Sequence, residues 1–212
     1  MKDIPMFTTE YGVASLFLRE VSYTGKAHIK LHSSLEPDKL LEECISFCRM
    51  CGAEWIDAAG HASLEKYPLI TAIYAMQCPS DQIPQTDACL FPVTEKTVQQ
   101  WLDTYNEKMA DIPNSAYMDS RDGKRLLEIG DGYFIHRDGV LLGIGKAKDD
   151  FIDTVIALQP GAGETVVRAL AGSLQCDTVR LWVASANARA IRLYERMGFV
   201  KVKEISRWYR VL

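Results

Sequence analysis

The sequence predicts an α/β protein of the α+β type, in which a mixed sheet is flanked by helices and a smaller lobe comes first. Three observations predict it. Beyond residue 88, strand-like and helix-like segments alternate, a pattern that sets up parallel strands. Asp138-Gly139, a hairpin turn signal, stands between two apolar runs and sets up antiparallel ones. Residues 77–88, QCPSDQIPQTDA, are rich in Pro, Ser, Gln and Asp and read as a linker. The expected organisation is a partial lobe over 1–80, a linker over 81–88 and a complete domain over 89–212.

Each element follows from its residues. YGVASLFLREV, 11–21, is β-branched and aromatic and reads as a strand. Tyr23 to Lys26 is a turn, and 27–32 alternates as a second strand. Ser34 can cap a helix and Pro37 fits its first turn; the helix runs to about Cys51, where Gly52 stops it. Short strands follow at 54–59 and 69–76. After the linker come a strand at 89–93 and a helix at 95–109 with Val98, Trp101, Leu102 and Tyr105 on one side. Residues 111–130 are mixed. The hairpin joins 132–136 to 140–146, and 151–158 is a buried strand. A helix at 165–174, a strand at 179–184, a helix at 188–197 and a last strand or strand pair at 199–212 complete the order. The segments 27–32, 36–51 and 54–59 repeat in kind at 151–158, 164–174 and 179–184, offset by roughly 125 residues without matching identities.

Composition narrows the function classes. The chain has 212 residues, 48% hydrophobic and 25% charged, which suits a globular protein with its own core. No apolar run has the length of a membrane helix, and MKDIPMFTTEYG has no apolar leader core. A cytoplasmic location with mostly free thiols among the six cysteines is therefore expected. A net charge of −4 argues against non-specific nucleic-acid binding. The charge is uneven: residues 1–87 hold 7 basic against 12 acidic side chains, whereas 179–212 holds 8 basic (Arg180, Arg189, Arg192, Arg196, Lys201, Lys203, Arg207, Arg210) against 2 acidic. That basic segment fits an anionic ligand or a solvated helix face and edge strand.

The most specific segment is Asn187-Ala-Arg-Ala-Ile-Arg-Leu-Tyr-Glu-Arg-Met-Gly-Phe199. Asn187 is a good N-cap, Ala190, Leu193, Tyr194 and Met197 form a core stripe, and Gly198 permits a left-handed end. Asn187, Ile191 and Tyr194 share a face two turns long. The segment resembles the last block of the GCN5-related N-acetyltransferase (GNAT) superfamily, N-x-x-A-x-x-L-Y-E-x-x-G-F. Ile156-Ala-Leu-Gln-Pro160 is similar to the family's central strand end, and Gly161-Ala162-Gly163 to its phosphate loop. The resemblance covers about 88–212 and implies a mostly antiparallel sheet, with 1–80 a degenerate half copy as in tandem members.

The resemblance implies acetyl-CoA as co-substrate and an amine acceptor attacking its thioester directly. It places the cofactor on Ile156, Ala157, Leu158, Gly161, Ala162, Gly163 and Asn187, with an oxyanion donor in the backbone near Ala157 or Leu158. Tyr194 matches the general acid that protonates the leaving thiolate, and otherwise is a core aromatic. The loop departs from the family pattern. It is about three residues short, lacks its basic residue and puts Glu164 at the helix start, which suits an empty helix end better than a phosphate. A non-catalytic binding or regulatory protein on the same fold is therefore the alternative. The base is not evident among Asp149, Asp150, Asp153 and Glu128. No nucleic-acid or membrane partner is implied, and the oligomeric state stays open, with a homodimer among the options.

Two other patterns involve metal-ligating residue types. Cys44, Cys48 and Cys51 have the spacing of an iron–sulfur triad but fall within a helix beside Leu40, Leu41 and Phe47, where cysteines pack as small hydrophobes. His28, His32 and His61 lack the further ligand of a metal set. No metal is expected.

Overall fold

A computed structural model describes residues 6–212. Residues 1–5, part of the expected lobe and of the N-terminal stretch read above, lie outside the described residues. The chain divides into two units, one running up to Ile73 and including Glu204–Leu212, the other Tyr74–Lys203. The division thus falls inside a strand, and not at 81–88.

In the first unit, β1 (Met6–Thr9), β2 (Gly12–Phe17), β3 (Lys26–Ser34) and β4 (Trp55–Ala59) lie in that order. The expected strand 11–21 is shorter, because residues 21–24 turn into a one-turn helix, α1 (Val21–Thr24), ended by Gly25 at φ +71°. β3 and β4 are parallel, joined over one face by α2 (Pro37–Met50). Glu36, not Ser34, stands at the start of α2; Ser34 still belongs to β3. Leu40, Leu41, Cys44 and Cys48 of α2 are buried with Leu16, Ile29, Leu31 and Ile56 of the strands. The final residues of the chain pair antiparallel with β4, Tyr209 opposite Ala58 and Arg210 opposite Asp57.

The second unit takes β5 (Leu69–Pro79) from Tyr74 onward. It continues with β6 (Cys89–Pro92), α3 (Val98–Met109), α4 (Ser120–Ile129), β7 (Gly132–Arg137), β8 (Val140–Lys148) and β9 (Phe151–Ala157). It closes with α5 (Gly163–Gly172), β10 (Thr178–Ala184), α6 (Ala188–Arg196) and the start of β11 (Val200–Arg210). β5 and β11 each leave one unit and end in the other. The strand order is β5-β10-β9-β8-β7-β6, antiparallel from β6 to β9 and parallel between β9 and β10. The stretch 77–88 is not a free linker: it holds the end of β5 and a 3-10 turn, whose Ser80 hydroxyl donates to the Cys176 carbonyl at 2.5 Å.

Helices cover both sides of this sheet. On one side α5 and α6 bury Val166, Val167, Leu170, Tyr194 and Met197 against Ile152, Leu181 and Val183. On the other, α3 and α4 bury Trp101, Leu102, Tyr105 and Leu126 against Phe134, Ile144 and Ile156. The 111–130 region resolves into a loop and α4, which begins at a reciprocal cap between Asp119 and Asp122. Asn106 holds that loop twice, donating to the Met118 carbonyl at 2.8 Å and accepting from its N–H at 2.9 Å.

Candidate active site

The site begins where β9 and β10 part. Of their residues only Phe151 with Arg180 and Ile152 with Leu181 are partners, although both strands run on for several residues. The cause lies on the other edge of β9. Ala147 partners Ile152 but Lys146 partners Thr154, so Asp153 is an extra residue, a β-bulge. A bulge bends its strand and sharpens its twist. Here it falls directly after the last β9–β10 partner.

The parting leaves backbone groups without a strand partner. Leu158 N–H donates to the Leu142 carbonyl at 2.8 Å. Antiparallel pairs alternate between hydrogen-bonded and non-hydrogen-bonded ones. The pairs Gly143–Ala157 and Gly145–Val155 are therefore of the second kind. The N–H and C=O of Val155 and Ala157 point away from β8, into the opening. This geometry corrects the expectation at Leu158: its N–H is already used, and the free donor is that of Ala157.

Around this opening lies a cleft of about 550 Å³. β9 lines it with Val155, Ile156 and Ala157; the start of α5 adds Gly161, Gly163 and Glu164; α6 adds Asn187, Leu193 and Tyr194 among others; the end of α3 and its loop add Lys108, Met109 and Ile112. Gly161 has φ +79°, a turn conformation that favours glycine. A side chain at Gly163 would bring its Cβ to 3.0 Å from Leu193, so glycine lets α5 and α6 approach. The first N–H groups of α5 have no intrahelical acceptor, as at any helix start, and favour an anion. Ala162 is buried at the cap, its N–H donating to the Gln159 carbonyl at 3.1 Å, so it supports the turn without lining the cleft. Leu158 also lies outside the lining and packs on the α3–α4 core.

Asn187 caps α6, its side-chain oxygen accepting from Ala190 N–H at 3.1 Å, while the residue also lines the cleft. Tyr194 is 6% exposed, and burial alone pushes its phenol well above the ordinary value of a tyrosine. Its ring packs on Phe199, centroids 5.8 Å apart. It is both things the sequence allowed, a core aromatic and a cleft residue.

The basic C-terminal segment divides cleanly. Arg180 pairs with Asp150 at 2.7 Å, Arg207 with Glu204 at 2.6 Å and Arg210 with Asp57 at 2.6 Å; Lys201 sits 3.2 Å from the centre of the Tyr74 ring. Arg189, Arg192 and Arg196 instead line the cleft. They are the cations that the loop lacks, and the sequence showed them only as part of a basic stretch. Glu164 is paired with Arg168 one turn on, so its charge is partly offset.

The carboxylates named as possible bases separate. Asp150 is held by Arg180, Asp149 forms the β8–β9 turn at φ +57°, and Glu128 is exposed on α4. Asp153 stands on the bulge. The cysteine triad is core packing: Cys44 and Cys48 are buried and burial pushes both thiols up to about 12, while Cys51 is exposed past the helix end. The three histidines are dispersed. His28 packs edge-on against Trp208, His32 lies 2.7 Å from the Ser15 hydroxyl, and His61 caps a 3-10 turn.

Residues 158–209 match the FR47-like protein family. No curated protein sequence matches the chain. Its architecture is shared with solved structures. A functionally unknown conserved protein from Staphylococcus epidermidis is 13% identical, with a TM-score of 0.62, covering 99% of this chain and 94% of that one. A GCN5-related N-acetyltransferase from Kribbella flavida is 13% identical, with a TM-score of 0.57, covering 99% and 90%. A tandem GNAT protein from the clavulanic acid biosynthesis pathway is 11% identical, with a TM-score of 0.55, covering 99% and 84%. The parted parallel strands, the bulge on the β8 edge of β9 and the FR47-like segment together place the chain on the fold of the GCN5-related N-acetyltransferases.

Proposed function

We propose that the chain is an acetyl-CoA-dependent N-acetyltransferase that moves an acetyl group to a primary amine while both substrates are bound. The observation that carries this reading is the parting of β9 and β10, with the free N–H and C=O of Val155 and Ala157 opening into the cleft. An extended amide-bearing arm, such as pantetheine, has the hydrogen-bonding groups to replace the missing strand. Its diphosphate would meet the N–H groups at the start of α5, with Arg189, Arg192 and Arg196 as counter-charges. We read residues 1–80 as the degenerate half of a tandem arrangement.

In this reading each side chain has one task. Ala157 N–H donates to the acyl carbonyl oxygen as negative charge develops there. The ammonium form of the amine gives one proton to water; the neutral nitrogen then bonds to the acyl carbon, the carbon–sulfur bond breaks, the sulfur takes the Tyr194 proton, and the proton shed by the newly bonded nitrogen returns to Tyr194 through water. The raised phenol value keeps that proton in place across the neutral range. The products are an amide and free CoA.

Calorimetric titration with acetyl-CoA and with CoA tests the reading. Binding with a Kd in the micromolar range is expected, together with a rise in melting temperature set by ligand excess. Absence of binding at millimolar acetyl-CoA would turn the assignment to a non-catalytic protein on the same fold.

A further inference from the structure

The α3 side of the second unit's sheet is only partly covered. Phe134 of β7 is buried under α3, so its strand partner Phe91 and, two residues on, His136 stand on the same side. Leu141 of β8 is the partner of His136 and packs on the same core. α3 begins at Val98 and covers Phe134 and Ile144, whereas Phe91 beside them is 52% exposed. Between the start of α3 and the β7–β8 turn lies a second cavity, of about 570 Å³, a size usual for small-molecule sites. Among the described residues it shares none of its lining with the cleft around Ala157, whose helices α5 and α6 pack on the opposite side of the sheet.

The floor of this cavity is apolar and one wall is polar. Phe91, Phe134 and Leu141 make the floor, and the Phe91 and His136 rings meet edge to face, centroids 5.2 Å apart. His136 Nδ1 is buried without a hydrogen-bond partner, which leaves Nε2 as the accessible nitrogen of the ring. Gln100, in the first turn of α3, stands exposed on the wall, and among the described residues its side-chain amide has no partner. The neighbouring Thr94 and Thr97 hydroxyls are used on each other, 3.1 Å apart. The charges lie at the rim. Asp87 and Arg137 pair at 3.6 Å, both exposed, and Asp138 sits on the turn at φ +53°. Glu95 and Lys96, exposed just before α3, offset each other, so Asp138 alone is left over, out in solvent where it is screened.

We propose that this cavity binds a flat, uncharged heteroaromatic base of the aminopurine kind, as a second ligand of the protein. The ring system lies on Phe91 and the floor beside it, and its edge meets Gln100. An amide side chain offers a donor and an acceptor side by side, and an aminopurine edge returns an acceptor and a donor. Stacking on an aromatic side chain supplies affinity without asking for charge. A plain hydrocarbon ring would leave Gln100 and His136 unused. A phosphate or carboxylate would meet a single cation, Arg137, already beside Asp87. The inference does not rest on the acetyl-transfer reading, and its measurement needs no acetyl-CoA.

The test is calorimetric titration of the full chain with adenosine and with purine riboside, which lacks the exocyclic amine. Wild type is compared with Phe91→Ala, Phe91→Tyr, Gln100→Ala and the cleft variant Arg192→Gln. Adenosine should bind wild type about ten-fold tighter than purine riboside. Phe91→Ala should weaken both ligands about ten-fold or more, and Phe91→Tyr, which keeps a ring on the half-exposed strand, should bind both as wild type does. Gln100→Ala should weaken adenosine about ten-fold and leave purine riboside unchanged, so that the two ligands become alike. Arg192→Gln should bind adenosine as wild type does. Absence of binding to wild type at millimolar adenosine overturns the proposal. So does equal binding of the two ligands by wild type, or adenosine binding that is lost in Arg192→Gln and kept in Phe91→Ala, which would put the base in the cleft.

Discussion

Two strand–helix–strand units in this chain have one topology and different geometry. In β3-α2-β4 the parallel strands stay partners over five residues, from Lys26–Trp55 to Lys30–Ala59. In β9-α5-β10 they are partners at two positions and then part. β3 has its own bulge, at His32 on its edge with β2, two residues beyond its last β4 partner, whereas the bulge at Asp153, on the β9 edge with β8, follows directly on the second β9–β10 partner. The helices differ in the same sense. α2 opens on Glu36 and Asp38, whose charges offset its own positive end, whereas α5 opens at Gly163, just after Gly161, on a cleft. The lesson is that connectivity does not make a binding site here. What differs is where the extra residue falls: in β9 it follows the second partner and leaves the backbone of Val155 and Ala157 free of a strand.

The largest effect should come from the same substitution placed in each unit. Val211 N–H donates to the Ile56 carbonyl at 2.9 Å, so by alternation Ala58 is hydrogen-bonded to Tyr209. Ala58→Pro removes a ladder bond from a buried strand and should cost about 3 kcal/mol or more. Ala157→Pro removes an N–H that serves no strand. It should leave the melting temperature nearly unchanged but reduce acetyl transfer about 100-fold, the order seen when an oxyanion donor is lost. Denaturant titration and steady-state rates of the two proteins read both effects. Equal loss of stability would mean that β9 is not parted in solution.

Tyr194→Phe sharpens the contrast at the level of chemistry, since it keeps the ring on Phe199 and removes only the hydroxyl. A fall in kcat of about 10²-fold with unchanged acetyl-CoA affinity is expected. The sign of the pH dependence follows from burial. The phenol value is raised, so the acid stays loaded as pH rises, and the wild type should show no alkaline limb from this group below pH about 10. An alkaline limb near pH 8 that disappears in Tyr194→Phe would assign the proton differently.

What the sequence made legible was local. The Asn187–Phe199 helix could be read from its cap, stripe and glycine because those signals lie within a few residues of one another, and the cap is seen between Asn187 and Ala190. The order of strands and helices beyond residue 88 was legible for the same reason. The parting of β9 from β10 could be expected only from the family resemblance of Ile156–Pro160 and not from local signals, because it depends on which residue of β8 faces Thr154, a matter of register between strands. The unit boundary was misplaced because Pro and Ser near residue 80 mark a turn packed on Cys176, and composition does not distinguish a packed turn from a linker.

The arginines carry the next effect in size. Arg192→Gln and Arg196→Gln should each weaken acetyl-CoA binding about two- to five-fold at low salt, and the losses should shrink in 0.5 M salt because exposed charges are screened. Arg180→Gln is the control in the same unit. Its guanidinium is committed to Asp150, and acetyl-CoA affinity should not change. Calorimetry at two salt concentrations separates the cases. Equal losses at all three positions would mean that affinity follows net charge and not the cleft.

The smallest effect tests whether the helix start of α5 is held back by its own acid. Glu164, the second residue of α5, pairs with Arg168, whereas Asp38 holds the corresponding place in α2 and pairs with Lys66. Glu164→Gln removes a negative charge where a diphosphate would sit and releases Arg168. Charges at helix ends are worth about 0.3–1 kcal/mol, so acetyl-CoA should bind about two- to five-fold tighter. Asp38→Asn should not alter acetyl-CoA affinity. The stability of Glu164→Gln without ligand should fall slightly, since an acid at an empty helix start is favourable. Tighter binding purchased with lower intrinsic stability would mean that this helix end is a functional compromise, the counterpart of an α2 end that is optimised for folding alone. If Glu164→Gln leaves both quantities unchanged, Arg168 already cancels the charge and the short loop needs no further compensation.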